Sequence, residues 1–281
     1  MDTPGPVKAI ICTVGETATS ENMYPSDYCD YLFFTDVYAK GGLIHARKDY
    51  RSFIIFVQTA ARRSNMEFGI SFAFDLVTPN NLDESARFLN VLRREGIRHY
   101  GLLTVLNFQG DYNATVSSTR AIITGSHWFA VSAKTKFSNP SIITGLSFEL
   151  SALKYVMVDD PTSLHESVFL PCLSVKKTGR EALCRHSDFT GGPENYLDYP
   201  IYAYGVFSNT SKVLTLSEYN DSLATKFLNA VTDFGDLRED TAWLLYNVHN
   251  DAPNNQCPEP PFTVLQCFSV ALKGGEAPAY H

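Results

Sequence analysis

The sequence predicts an α/β fold, a (β/α)8 barrel of the TIM type, carried by a single domain over residues 1–281. Three observations point to it. Several apolar runs lack period-two alternation, which indicates strands buried on both faces, as parallel strands are. Amphipathic helical segments take turns with those runs roughly eight times, the strand-then-helix pattern of this barrel. The length of 281 residues is near the size usual for it.

Val7 to Val14 (VKAIICTV) and Tyr31 to Tyr38 (YLFFTDVY) are the first two buried strands. Arg51 to Ser64 reads as a helix with Phe53, Phe56, Val57, Ala60 and Ala61 on its inner side. Phe68 to Val77 returns to strand. In the next helix Asn81 and Glu84 fit a capping box, Leu82, Ala86, Leu89 and Leu92 line one face, and Gly96 supplies the stop. His99 to Phe108 is another buried strand, Thr115 to Lys134 a helix, and Ile142 to Met157 one long strand or two short ones. Residues 159–199 show no clear periodicity and read as a loop-rich irregular insertion. Strands Tyr202 to Phe207 and Lys212 to Tyr219 follow, then helix Asn220 to Phe234, strand Thr241 to His249 and helix Pro261 to Lys273. A doubly wound open sheet is the runner-up. Against it, the first strand–helix junction, Val14-Gly15-Glu16-Thr17, lacks the glycine cradle that a dinucleotide requires.

Composition excludes several function classes. The hydrophobic fraction of 44% and the 13% of aromatic residues rule out disorder. A formal charge of −7 without a Lys/Arg run argues against nucleic acid as a partner, because affinity there rests on phosphate neutralisation. No stretch reaches the ~18 uncharged apolar residues of a spanning helix, so no membrane role is expected. The cysteines Cys12, Cys29, Cys172, Cys184, Cys257 and Cys267 form no CxxC pair and no Cys/His cluster, so neither a metal nor a cofactor is expected. Their even number, in three sequence-neighbouring pairs, reads as disulfides of a secreted protein, with fifteen connectivities open. Sequons at Asn113, Asn209 and Asn220 are compatible with glycosylation. MDTPGPVK has neither the basic start nor the apolar stretch of a signal peptide, so a secreted protein would be read here in its mature form.

The stretch LTLSEYNDSLATKFLNAVTDFGDLREDTAWLLYNVHNDAPNNQC resembles the end of the family-18 glycoside hydrolases, the chitinases and chitinase-like proteins. The likeness is carried by Ser222, Leu223 and Lys226 on a helix, by Trp243 to Val248 on the last strand, and by Asp251 and Cys257 after it. PPFTVLQCFSVAL is similar to that family's closing helix. The resemblance implies a disulfide between Cys12 and Cys29, which stand at the places of a strand-one and a strand-two cysteine. It also implies a catalytic strand of pattern Asp-Gly-x-Asp-x-Asp-x-Glu. Here that strand reads Tyr100-Gly101-Leu102-Leu103-Thr104-Val105-Leu106-Asn107, so only the glycine remains and the general acid becomes Asn107. Loss of the acid alone costs about 10²–10⁴ in rate. The Ser-x-Gly-Gly of strand three appears as Ser71-Phe72-Ala73-Phe74, and the floor tryptophan of the last strand as Tyr246.

The polar residues at the strand ends that could carry other chemistry are Asp36, Asp75, Asn107, Glu149, Glu218 and His249. Asp75 with Glu149 would suit glycosyl transfer if ~5–9 Å apart; otherwise they cap loops and helices. His45 reads as a solvated loop residue, and no G-x-S-x-G elbow is present. The expected protein is therefore a secreted, non-catalytic chitinase-like barrel that binds a glycan or an extracellular protein, a host-directed arthropod effector being one form of this. The alternatives are a hydrolase with relocated carboxylates and an inactive storage or structural barrel. Oligomeric state is left open.

Overall fold

The computed structural model describes residues 9–46, 50–73, 79–101, 144–168, 170, 172–198, 201–233, 241–254 and 257–272. They fall into two compact units.

The first unit is built on a sheet whose strands run β5-β4-β2-β1-β12-β6. These strands are β1 (Ile10–Val14), β2 (Tyr31–Lys40), β4 (Glu67–Phe72), β5 (Ile97–Gly101), β6 (Thr144–Glu149) and β12 (Thr241–Tyr246). Pairing is parallel from β5 through β4, β2 and β1 to β12. Strand β3 (Leu43–Ala46) pairs antiparallel with β2. Its two-residue turn is Gly41-Gly42, both with positive φ, the conformation a tight hairpin turn demands. His45 accordingly sits in this hairpin and stacks on Tyr38, not in a solvated loop.

Period-two alternation puts Ile11, Phe33, Leu244 and Tyr246 on one sheet face, where they form a buried cluster. Gly69 belongs to this layer by necessity: a Cβ there would lie 2.5 Å from the Phe33 ring. Helix α1 (Tyr50–Arg62) buries Phe53 and Phe56 against Phe34 and Phe68, as its periodicity predicts. Helix α2 (Pro79–Arg94) starts three residues earlier than expected, so Asn81 is inside the first turn and is not the cap. Proline suits this start, since it has no amide hydrogen to leave unpaired. Gly96 closes the helix at φ +90. The expected helix Thr115 to Lys134 and most of the strand His99 to Phe108 lie outside the described residues.

The second unit carries an antiparallel sheet ordered β8-β7-β11-β10-β9. Its strands are β7 (Ala152–Met157), β8 (Cys172–Thr178), β9 (Tyr196–Leu197), β10 (Ala203–Ser208) and β11 (Val213–Ser217). Residues 159–199 are thus not purely irregular. They hold β8, β9 and the short helices α3 (Leu164–Ser167) and α4 (Glu181–Cys184). Strand β8 escaped the sequence reading because it is exposed on both faces at the sheet edge and so has no apolar signature. Leu153, Tyr155, Met157, Leu214 and Leu216 make one core cluster of this unit. Helix α5 (Asn220–Asp233) includes Asn220 as its first residue, so Asn220 does not cap it from outside. Helix α6 is Thr263–Leu272. Among the described residues no helix is long and apolar enough to cross a membrane.

Candidate functional site

Parallel strands deliver their carboxyl ends to one edge of the sheet, where this class of fold keeps its ligands. In the first unit those ends are Val14-Gly15 of β1 and Tyr246-Asn247 of β12, followed by His249, with Thr35, midway along β2, level with the end of β1. Their side chains converge. A Cβ on Gly15 would lie 3.3 Å from Thr35 Oγ1, 3.6 Å from Asn247 Oδ1 and 3.9 Å from His249 Cε1. Glycine therefore lets the β1 backbone approach three polar groups closely, and any larger residue would fill that space.

Hydrogen bonds hold this group. The Asn247 amide donates to Thr13 Oγ1 at 2.9 Å, and the Thr35 hydroxyl donates to the Val14 carbonyl at 3.2 Å. His249 Nε2 and Thr17 Oγ1 are 2.6 Å apart. Asn247 takes φ +58, a left-handed conformation that Asn tolerates better than most residues, and this turns the chain out of β12. Thr13, Thr35, Asn247 and His249 are all buried. Beneath them Tyr246 packs with Ile11, Phe33 and Leu244. The group offers hydroxyl, amide and imidazole atoms suited to a neutral polar ligand. The three side chains nearest Gly15 are a hydroxyl, an amide and an imidazole.

The other candidates distribute as follows. Asp36 lies on β2, with its side chain outside the described residues, as are Asp75, Asn107 and the Asn113 sequon. Glu149 is buried within the second unit. It accepts from the Ser151 amide at 3.0 Å and from Lys177 Nζ at 2.7 Å, which makes it a loop anchor paired to β8. Glu218 accepts from the Ser222 hydroxyl at 2.9 Å and pairs with the buried Lys226 ammonium, so it steadies the first turns of α5. Ser222 and Lys226, which carry the sequence resemblance, are thus explained by this anchor. The Asn209 sequon occupies an exposed turn. That of Asn220 has its Ser222 buried and bonded to Glu218 and Tyr219.

Cys12 is joined to Cys29. The neighbouring pairs Cys172–Cys184 and Cys257–Cys267 do not form. Cys184 bonds Cys257 across 73 residues of sequence, leaving Cys172 exposed and Cys267 buried as free thiols. Proximity in sequence failed as a guide because Arg180 and Asp251 draw the chain around α4 and the segment after β12 together within the second unit. That ion pair, and the Gly15–Asn247–His249 convergence, escaped the sequence reading. An Asn directly after an apolar strand, a residue type that tolerates the left-handed conformation, was the available signal for the latter. No cluster of metal-ligating side chains occurs among the described residues.

No family model and no characterised protein matches the sequence. Solved structures do match. Human YKL-39, described as a pseudo-chitinase with retained chitooligosaccharide binding, aligns at TM-score 0.59 and 8% identity over 95% of this chain and 100% of that one. Group II chitinase catalytic domain 2 of Ostrinia furnacalis aligns at TM-score 0.56 and 8% identity, covering 97% and 98%. Group IV chitinase of the same insect aligns at 0.57 and 10%, covering 95% and 100%. The chain has a chitinase-like α/β fold.

Proposed function

We propose that the protein is a secreted, non-catalytic chitinase-like barrel that binds a glycan at the carboxyl ends of β1 and β12, beside Thr35 of β2. The observation that carries this reading is the convergence of Thr35, Asn247 and His249 on the Gly15 backbone, with no carboxylate among them. Hydroxyl, amide and imidazole groups above an aromatic side chain suit sugar hydroxyls and N-acetyl groups. Two further observations support the reading: Asn stands at position 107, where the family's sequence pattern has its acid, and the fold is shared with a pseudo-chitinase described as retaining chitooligosaccharide binding. The two disulfides suit an oxidising compartment. The closed eight-stranded form of the barrel belongs to this proposal, as do a protein partner and a host-directed role as narrower versions of it.

The test is calorimetric titration with chitotetraose, paired with chromatography of the sugar after prolonged incubation. The expected result is saturable binding with the oligosaccharide recovered intact. Asn247→Gly keeps the left-handed backbone while deleting the side chain, and Gly15→Ala fills the space beside it. Each should weaken binding about tenfold, the equivalent of ~1.4 kcal/mol. Hydrolysis that disappears in Asp75→Asn or Glu149→Gln would establish the relocated-carboxylate hydrolase instead. Absence of binding across a glycan panel would leave the storage or protein-binding readings.

A further inference from the structure

At the opposite, amino-terminal edge of the same parallel strands lies a second cleft, of about 920 Å³. Its walls come from the end of α2, with Arg93 and Arg94, from the start of β5, with Arg98 and His99, and from Tyr31 and Glu67, which open β2 and β4. The three arginines are exposed, and among the described residues none of their guanidinium groups is in an ion pair or side-chain hydrogen bond. The one carboxylate of the lining, Glu67, is engaged by His99 at 3.1 Å. The Tyr31 and His99 rings pack edge to face, with centres 5.1 Å apart. Three arginines therefore border one concavity on a chain whose net charge is −7.

We infer that this cleft is a binding site for a small ligand carrying two or more phosphate or sulfate groups. The guanidinium fork presents paired N–H donors that match the spacing of oxygens on a tetrahedral oxyanion, and an anion would relieve the repulsion between neighbouring arginines. The volume is in the range of small-molecule sites and exceeds what a single ion requires. The site is separate from the one proposed for the glycan, since it uses the opposite ends of the strands and charged in place of neutral groups.

The test titrates the full chain with inorganic pyrophosphate and, separately, with sucrose octasulfate, at low and at physiological salt. At least one probe should bind saturably, and the stronger identifies the phosphate or sulfate source. Arg93→Gln combined with Arg98→Gln should weaken that binding about tenfold, since each charge-assisted bond lost removes a substantial part of the affinity. Glu67→Gln should tighten it by removing the one negative charge of the lining. Lys176→Gln, which makes the same charge change as one arginine substitution but on β8, should have no effect. The inference is overturned if neither probe binds at about millimolar concentration, or if Lys176→Gln weakens binding as much as the arginine changes do. Circular dichroism of each variant confirms that the fold is kept.

Discussion

Arg180 Nε lies 2.9 Å from Asp251 Oδ1, and the two side chains are 1% and 0% exposed. The pair anchors the second unit. Asp251 Oδ2 also accepts from the Leu265 amide near the start of α6, and the Asp251 carbonyl accepts from Phe262. The Arg180 guanidinium sits 5.0 Å from the centre of the Tyr219 ring and 3.6 Å from Glu259, while its backbone amide donates to Asn250. The Cys184–Cys257 disulfide ties the same two stretches of chain.

Removing one partner of such a pair leaves a charge buried without its counter-ion. Arg180→Met should lower stability by ~3–5 kcal/mol in urea unfolding. Adding Asp251→Asn should recover part of that loss, because the stranded carboxylate is then gone. If the single variant were as stable as the parent, the pair would have no structural role.

The disulfides should differ in effect through the lengths of the loops they close, with sequence separations of 73 for Cys184–Cys257 and 17 for Cys12–Cys29. Chain entropy puts the loss on replacing each pair by alanines at about 4 and about 3 kcal/mol respectively. In the native protein a maleimide should modify Cys172 quickly. Cys267 should react only on unfolding, since it is buried and burial pushes its thiol pKa up. Peptide mapping that found Cys172 joined to Cys184 would refute this pattern.

His99 is buried, and desolvation lowers its pKa below the ordinary value, only partly opposed by the hydrogen bond to Glu67. The unfolded chain, with a histidine pKa of ~6.5, therefore takes up the proton first as the pH falls. The contribution of neutral His99 is complete above that value and is lost as pH drops toward the folded pKa. Thermal unfolding followed from pH 8 to pH 5 should show a decline in midpoint that is shallower in His99→Gln.

Gly69→Ala should cost ~1–3 kcal/mol, the usual penalty for overpacking, because its new methyl would meet the Phe33 ring. Phe33→Leu in the same chain should restore part of the loss. Equal stability of Gly69→Ala and the parent would show that the ring can move aside.

Much of the first unit was legible in the sequence. Continuous apolar runs located β1, β2, β4 and β12, because burial on both faces of a parallel sheet leaves a local, readable mark. Helix α1 was legible through its 3.6-residue period. The caps were read less well: Asn81 and Asn220 are helical residues, since one helix already begins at Pro79 and the other at Asn220 itself. The candidate site was half legible. The departure of Tyr100-Gly101 onward from the pattern of the family it resembles could be read from residue types, and the strand ends follow from the fold class. Which polar groups meet there was not evident, because Gly15 and Asn247 are 232 residues apart and meet only through the pairing of β1 with β12.

By itself, then, the amino-acid sequence determined which segments become buried parallel strands, and placed an asparagine where the family it resembles keeps an acid. Those are properties of residue type and short-range period. Tertiary structure alone decided that Cys184 meets Cys257, that Arg180 pairs with Asp251, and that three arginines from α2 and β5 border one cleft. Each of these depends on how distant or differently oriented segments return to one another. Hydrophobic burial drives that return without direction, so the local pattern holds no trace of which polar groups it brings together.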